Sequence, residues 1–415
     1  MRQKQFSKDF ILVVIGQIIS LFGNATIRFA LPLYLLNLTG SSALFGTVTA
    51  CAFIPTILMS PIGGIVADRV NKRNIMVILD FFTAALILAF SLLMNEISLV
   101  PLLTITLMFL YGIAGAYQPA VQASIPSLVH QEHVMEANAI INTISSFASF
   151  MGPILGGILY SAYGLSPILW VCTVCFLLSA VMEIFIQIPF QKQTFGGSIL
   201  KTVKTDFSES IRFLRKEKPV IGKVMLAICA INLFLSAMMI VALPYLVTEI
   251  LDLEATQANR LYGFAEGALA VGGLTGGICA GIFSKKLAIE KSATMLIACA
   301  VCVFPMGITL LLFSSGIINY IMIICCCFLA MIFSTIFTVQ MMTFIQTETP
   351  QNFIGKVIAV ILTVSMCAQP LGSAMYGILF ELCKGFEYTV ILFSGTVSLI
   401  IAISTRNIFK KFRQG

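Results

Sequence analysis

The sequence is poor in charge. Only 10% of its 415 residues are Asp, Glu, Lys or Arg, whereas 59% are hydrophobic. A soluble domain carries about 25% charged residues, and a folded globule this apolar would expose large hydrophobic patches to water. The composition therefore excludes an ordinary soluble protein and indicates a chain whose solvent is a lipid bilayer.

Side chains for catalysis and metal binding are also scarce. His130 and His133 are the two histidines, and the twelve cysteines lie inside apolar runs or at their ends, with no His or acid nearby to complete a metal site. We interpret the thiols as small hydrophobic fillers. The sequence contains no G-x-x-x-x-G-K-[ST] loop for nucleotide phosphates. We therefore expect no enzyme activity, no cofactor and no metal ion.

What the sequence does contain is long apolar runs. Twelve of them reach the length of about 20 residues that crosses the hydrocarbon core of a membrane. Six lie in the first half and six in the second, at 10–38, 43–67, 75–94, 99–125, 136–163, 166–189, 219–247, 258–283, 292–313, 317–344, 354–381 and 387–406. The sequence predicts an all-α membrane protein with twelve transmembrane helices.

The longest polar interruption separates these two sets of six. We predict an N-terminal six-helix bundle at 1–190, a cytoplasmic linker at 191–218 and a C-terminal six-helix bundle at 219–415. Within the linker, Ser198–Lys216 repeats apolar residues at helical spacing. This pattern predicts an amphipathic helix at the membrane surface.

Positive charge is distributed unevenly along the chain. If the N-terminus lies in the cytoplasm, all Lys and Arg except Arg28, Arg260 and Lys384 fall in the inner segments. Basic loops stay on the cytoplasmic side, so both termini are predicted to be cytoplasmic, in a plasma membrane of the bacterial kind. The net charge of +7 is then a topology signal, and no nucleic-acid partner is expected.

A charged stretch, GGIVADRVNKRN, lies at 63–74 between the second and third runs. Topology requires bases here but no acid, and an acid at a helix C-terminus is unfavourable against the helix dipole. We expect two glycines to allow a neighbouring helix to approach and the acid to be held by a base or by another helix. The predicted conformational latch comprises Gly64, Asp68, Arg69, Lys72 and Arg73; the alternative is a plain positive-inside loop.

A second motif, Gly152-Pro153-x-x-Gly156-Gly157, lies in the fifth run. Pro153 removes a backbone hydrogen bond and bends the helix, while the glycines allow close packing against a partner. The alternative to a functional motif is simply a kinked, tightly packed helix.

These motifs carry a resemblance to a known family. Residues 64–73 resemble the signature loop of the major facilitator superfamily, G-x-x-x-D-R-x-G-R-R/K, with Asn71 in place of the glycine; Asn also tolerates a left-handed turn. The motif in the fifth run resembles the antiporter motif of drug exporters in that superfamily. Ala116–Asn138 and Phe22–Ser42 are similar to the macrolide-efflux branch of the drug:proton antiporters.

The resemblance implies a major facilitator fold, in which two pseudo-symmetric six-helix bundles surround a central cavity. It also implies proton-coupled export of amphipathic or hydrophobic small molecules by alternating access. One departure is that the fourth run has no basic residue, whereas many drug:proton antiporters carry an arginine there. Two alternatives stay open: a lipid, siderophore or metabolite exporter of the same fold, and a non-transporting receptor or scaffold. We expect a monomer.

Ionisable residues inside the apolar runs are the remaining candidates. A charge at the bilayer centre costs at least about 2.5–3.5 kcal/mol and is functional by default. We expect Arg28 and Glu266 to reach the cavity, where Glu266 takes up protons or meets cationic drugs; the alternative is a structural pair with Arg28 or Arg260. Asp80 is expected to join the charge network of the signature loop, with a proton site as the alternative, and Glu183 is expected to be hydrated. Polar residues suited to the cavity wall are Asn24, Gln118, Gln122, Asn232, Gln340 and Gln369.

Overall fold

The structure is a computed structural model that describes residues 7–188, 199–283, 292–350 and 353–412. Within these ranges the side chains of Asp68 and of residues 199–206 and 407–412 lie outside the description. The described residues are helical throughout apart from short connections, and no strand occurs among them.

The described helices occur in the following order along the chain. They are α1 (Lys8–Thr39), α2 (Ser42–Arg69), α3 (Lys72–Leu93), α4 (Leu99–Leu128), α5 (Val134–Tyr163), α6 (Leu165–Ile184), α7 (Ile199–Lys216), α8 (Pro219–Ile231), α9 (Ala237–Tyr245), α10 (Ala255–Ile282), α11 (Ser292–Val301), α12 (Val303–Leu312), α13 (Gly316–Glu348), α14 (Ile354–Leu382) and α15 (Glu387–Phe412). Two π-helical segments, Asn232–Ser236 and Leu246–Ile250, flank α9.

Twelve helical segments of the described residues are long and apolar enough to cross a membrane, so the predicted twelve spans are confirmed. The seventh runs continuously from α8 through both π-helical segments, and the ninth combines α11 and α12. The chain is therefore a multi-pass helical membrane protein.

The chain divides into two compact units. Unit 1 comprises Met1–Thr39, Cys51–Thr194 and Glu254–Gly267, and unit 2 comprises Gly40–Ala50, Phe195–Leu253 and Ala268–Gly415. The beginning of α2 thus belongs to unit 2, and the beginning of α10 belongs to unit 1. The bundle boundaries at residues 190 and 218 stay a prediction.

The helices α1 and α6 pack against each other inside unit 1. A Cβ at Gly16 or Gly23 of α1 would meet Ser179 or Phe176 of α6 at 3.4–3.5 Å, which is an ordinary contact distance. The buried face of α1 therefore lies directly against α6, and the polar residues that it carries are brought into the interior of the unit.

In unit 2 the helix α7 occupies the place where the sequence predicts a helix. Its Phe213 stacks on Phe353 at 5.4 Å between ring centroids. Glu209 forms an ion pair with Lys356 at 3.0 Å, and Lys218 just beyond the helix pairs with Glu348 at 2.8 Å. These contacts fix α7 against the ends of α13 and α14; its position at a membrane surface stays a prediction.

Candidate functional site

Two predicted residues, Arg28 and Glu266, lie around one group of aromatic rings in unit 1. The guanidinium carbon of Arg28 lies 3.4 Å from the ring centroid of Tyr111, which is a cation–π arrangement. The neighbouring Phe29 stacks on Tyr262 of α10 at 4.7 Å between centroids. The Tyr262 hydroxyl donates a hydrogen bond of 3.2 Å to Glu266 Oε1. We call Arg28, Phe29, Tyr111, Tyr262 and Glu266 the aromatic cluster.

The aromatic cluster holds one base and one acid without joining them. Among the described residues neither Arg28 nor Arg260 forms an ion pair with Glu266, so the structural pair considered from the sequence is not formed. Both Arg28 and Glu266 keep part of their surface exposed. Aromatic faces with one charge of each sign suit an amphipathic organic molecule. The sequence reasoning missed Phe29 and Tyr262, because aromatic residues in apolar helices are common and give no distinct signal.

The glycine motif of α5 packs against this cluster. A Cβ at Gly156 would lie 2.9 Å from the Phe29 ring, and one at Gly152 would collide with the Ala25 side chain. Gly157 faces α10, where an added Cβ would lie 2.8 Å from the Asn259 carbonyl oxygen. The motif therefore lies where α1, α5 and α10 meet, and it sets the position of the Phe29 ring that stacks on Tyr262.

A second close crossing occurs in unit 2, between the beginning of α2 and α14. A Cβ at Gly377 would lie 2.6 Å from the Ser42 carbonyl oxygen, and one at Gly46 would lie 2.9 Å from the Gly377 Cα. The Ser42 hydroxyl donates to the Gly377 carbonyl at 3.0 Å, and Glu381 accepts from the Ser41 hydroxyl at 3.0 Å. In span order this crossing joins the second helix to the eleventh, as Gly157 and Gly263 join the fifth to the eighth.

The signature loop departs from two expectations. Asn71 has φ −59° and its side chain accepts from the Arg73 backbone N–H at 3.1 Å, so it caps the N-terminus of α3 and adopts no left-handed turn. The predicted close approach at Gly64 is wrong: no described atom lies within 4 Å of a Cβ placed there. The neighbouring Gly63 makes that approach, 2.6 Å from the Ala116 Cα.

The bases of the latch are positioned by α3 and by α6. The Arg73 guanidinium donates through Nη2 to the Ile184 carbonyl at the end of α6, where the orphan carbonyls and the helix dipole favour a cation. Arg69 and Lys72 are partly buried. The side chain of Asp68 lies outside the described part, so its proposed role in a latch stays a prediction.

Two acids predicted to lie near the cytoplasmic face are instead buried together. Asp80 is 2% exposed and Glu183 is 0% exposed, so the expected hydration of Glu183 is wrong. The Ser20 hydroxyl donates to Asp80 Oδ1 at 3.1 Å. The Tyr117 hydroxyl donates to Glu183 Oε1 and accepts from Gln17 Nε2, both at 2.7 Å. We call these five residues the acid cluster.

The acid cluster also corrects the interpretation of Asp80. Among the described residues Asp80 forms no ion pair with a base of the signature loop. Helical spacing on α3 directs it inward, toward the hydroxyl group on α1, because Asp80 shares the buried face of α3 with Met76, Ala84 and Ile87.

The other predicted cavity residues are more dispersed. Asn232, in the first π-helical segment, donates to the Ser365 carbonyl at 3.2 Å and so joins α8 to α14. Gln340 is buried. Asn24, Gln118 and Gln369 are partly exposed and Gln122 is exposed. Their contribution to a cavity wall stays a prediction.

The chain is a polytopic helical bundle that holds charged and polar groups inside its membrane spans. This combination is typical of membrane transporters. A family model described as Major Facilitator Superfamily matches residues 13–373, and the chain belongs to that superfamily.

Two relatives that match most of the chain are named as efflux proteins. The chain is 23% identical over 404 residues to macrolide efflux protein A of Streptococcus pyogenes, covering 95% of this chain and 94% of the relative. It is 21% identical over 373 residues to the multidrug efflux pump Tap of Mycolicibacterium fortuitum, with 88% of each chain covered.

Solved structures share the fold at lower identity. The nucleoside transporter NupG has a TM-score of 0.74 at 12% identity and covers 97% of this chain and 100% of its own. A bacterial homologue of the iron transporter ferroportin, in an inward-facing state, has a TM-score of 0.70 at 17% identity, with coverages of 95% and 98%.

Proposed function

We propose that this protein exports amphipathic or hydrophobic small molecules by alternating access, driven by proton entry, and so contributes to multidrug resistance. It acts as a monomeric antiporter in the plasma membrane, with both termini in the cytoplasm, and catalyses no chemical reaction. The observation that carries the proposal is the aromatic cluster, in which Arg28 lies over Tyr111, Glu266 accepts from Tyr262, and the two charges form no ion pair with each other.

The aromatic cluster supports a broad choice of cargo. Aromatic faces bind flat or hydrophobic molecules with little demand on their shape, and a charge of each sign accepts a cationic amine or an anionic group. The antiporter-type motif Gly152, Pro153, Gly156 and Gly157 packs directly behind this surface. The efflux names of two relatives that match most of the chain support the outward direction of transport.

The test is export of two probes by a bacterium that lacks its main drug pumps. We expect cells expressing the chain to accumulate less erythromycin and less ethidium than cells with an empty vector, and an uncoupler to abolish the difference. Arg28→Ala and Glu266→Gln should each restore part of the accumulation, whereas the exposed Glu96→Gln should not. Equal accumulation with and without the chain would contradict the proposal.

A second cargo is favoured by one observation. Arg28 has an aromatic partner but no carboxylate partner among the described residues, which suits an anionic head group. Competition of ethidium export by an anionic lysophospholipid, but not by a zwitterionic one, would support lipid export over drug export.

A further inference from the structure

The acid cluster shares no residue with the aromatic cluster and is closed to bulk water in the described conformation. Gln17 and Glu183 are fully buried, Asp80 is 2% exposed and Tyr117 is 6% exposed. Tyr117 also belongs to an apolar core with Phe10, Met76, Val121 and Ile186. Charges in such surroundings are strongly disfavoured unless they are paired.

Among the described residues no cation compensates the two acids. Of the groups near them, α1 contributes Ser20 and, through Tyr117, Gln17; α4 contributes Tyr117 and α6 contributes Ser179, and none of these carries a positive charge. Arg73 binds the carbonyl next to Glu183 in sequence. Across the described part of the chain, no Lys, Arg or His forms an ion pair with Asp80 or Glu183.

Three buried oxygens in the cluster have no hydrogen-bond partner. They are Gln17 Oε1, Asp80 Oδ2 and Glu183 Oε2. Buried acceptors are normally satisfied, and an unsatisfied one points to a missing donor. The two carboxyl groups are close enough to interact electrostatically, so a proton bound by one of them would supply a donor and remove one of two like charges at once.

A proton fits this site better than a metal ion. Hard cations such as Ca²⁺ take about six to eight oxygen ligands, whereas the cluster offers three open oxygens. Within the described ranges no group of three or more His, Cys, Asp or Glu side chains could hold a metal ion. The hydroxyl of Tyr117, which both donates and accepts, is the kind of partner that adapts when a proton arrives or leaves.

We propose that Asp80 and Glu183 hold one exchangeable proton between them, in a buried site separate from the aromatic cluster. The proton forms an O–H bond on one of the open carboxyl oxygens and leaves to water as that bond breaks. This inference rests on the proposed antiport, in which the proton in the acid cluster is the coupling ion while the aromatic cluster binds cargo.

The geometry also connects this site to the signature loop. Glu183 lies one residue before Ile184, whose carbonyl accepts from Arg73. Arg73 stands in the first turn of α3, which Asn71 caps, and Asp80 lies two turns further along the same helix. A change of charge between Asp80 and Glu183 therefore acts on both helices that the loop's arginine joins.

The decisive measurement is infrared difference spectroscopy of the purified full-length protein between acidic and alkaline buffer. We expect the wild type to show the band of a protonated carboxylic acid that disappears in alkali. The double variant Asp80→Asn/Glu183→Gln should lack this band, whereas the exposed Glu96→Gln should retain it. The amide replacements mimic neutral acids, so folding should be preserved.

Tyr117→Phe provides a second test that keeps the acids. Loss of its hydroxyl should shift the band, because Glu183 loses a hydrogen-bond donor. An intact, unshifted band in the double variant and in Tyr117→Phe would overturn the proposal. Loss of the band on adding Na⁺ at constant pH would overturn the proton assignment in favour of a metal cation.

A transport assay in everted vesicles separates this inference from the proposed function. The double variant should still exchange ethidium when no pH gradient is applied. With a gradient, its rate of ethidium export should be lower than that of the wild type by about tenfold or more, which corresponds to a loss of over 1.4 kcal/mol in the driven step. Wild-type gradient-driven export in that variant would refute the coupling role and leave drug export intact. Absence of export by the wild type would refute drug export, while the infrared result still decides the proton site.

Discussion

The acid cluster and the aromatic cluster lie in the same unit and share α1 and α4, yet they differ in the sign and the burial of their ionisable groups. The acid cluster buries two carboxyl groups and gives each a hydroxyl donor. In the aromatic cluster a base lies over the ring of Tyr111 and an acid accepts from the Tyr262 hydroxyl, and both keep part of their surface exposed. A closed site of one sign is suited to a proton, whereas an open site of mixed sign is suited to a larger and more variable molecule.

In a coupled transporter, this contrast assigns proton binding to the acid cluster and cargo binding to the aromatic cluster. If proton and cargo used one carboxylate, they would compete for it directly. With separate sites, coupling must pass through helices that both clusters share, and α1 carries Gln17 and Ser20 in one cluster and Arg28 and Phe29 in the other.

The largest expected effect comes from exchanging one acid for its amide in each cluster. Glu183→Gln should lower gradient-driven export of every cargo by about tenfold, since the amide cannot bind and release the proton that couples the gradient to transport. Glu266→Gln should lower export of cationic ethidium and spare uncharged cargo, since it removes a charge from the binding surface only. Initial export rates for a cationic and an uncharged probe measure both effects.

The matched control is Glu96→Gln, which changes an exposed acid and should leave both rates unchanged. A cargo-dependent effect of Glu183→Gln, or a cargo-independent effect of Glu266→Gln, would reverse the roles of the two clusters.

A smaller effect is expected from the glycine crossing behind the aromatic cluster. Gly263→Ala would place a Cβ 2.6 Å from the Pro153 carbonyl oxygen, a backbone atom that cannot move independently. We expect a loss of stability of about 1–3 kcal/mol, typical of overpacking, seen as earlier thermal unfolding in detergent. Gly277→Ala on the same helix meets no described atom within 4 Å and should be neutral or stabilising by up to about 1 kcal/mol. Equal shifts in both variants would show that the crossing is not tight.

The sequence predicts the fold and part of the aromatic cluster, but it does not predict the acid cluster. Twelve apolar runs predict twelve spans, because hydrophobic length is a property of local sequence. Arg28 and Glu266 are recognisable one residue at a time, because a charge in an apolar run is costly wherever its partners lie. Their aromatic neighbours depend on which helices meet, and that information is not local.

The acid cluster shows more clearly what local sequence cannot predict. Asp80 is seven residues from Arg73, the nearest loop base, and Glu183 is near the end of its apolar run, so distance along the chain favours a loop network and a hydrated end. Packing decides otherwise, because Asp80 and Glu183 lie on the buried faces of their helices and Arg73 donates to the Ile184 carbonyl at the end of α6. Likewise the substitution of Asn71 suggests a turn with positive φ, whereas the residue acts as a helix cap.

A substitution at the cation–π contact tests whether the aromatic cluster binds cargo, and we expect its effect to be modest. Arg28→Lys keeps the charge but loses the planar stacking surface, and a cation–π contact is worth about 0.5–2 kcal/mol. We expect the ethidium concentration for half-maximal export to rise by roughly two- to tenfold, with the maximal rate retained. The exposed Arg260→Lys on α10 is the control, and an unchanged half-maximal concentration in Arg28→Lys would show that the stacked guanidinium does not shape the binding surface.

The smallest effect concerns the cap that holds Arg73 beside the acid cluster. Asn71→Ala removes the acceptor for the Arg73 backbone N–H and should lower stability by about 1 kcal/mol, whereas Asn71→Gly should cost only a few tenths. The two variants should therefore differ in thermal unfolding in the order wild type, glycine, alanine. Because the cap lies at the end of α3 that leads to Asp80, its loss should also broaden the acid band in the infrared spectrum and leave ethidium affinity at the aromatic cluster unchanged. If alanine were tolerated as well as glycine or better, helix propensity and not a side-chain cap would govern this position, and the connection from the signature loop to the acid cluster would lose its structural basis.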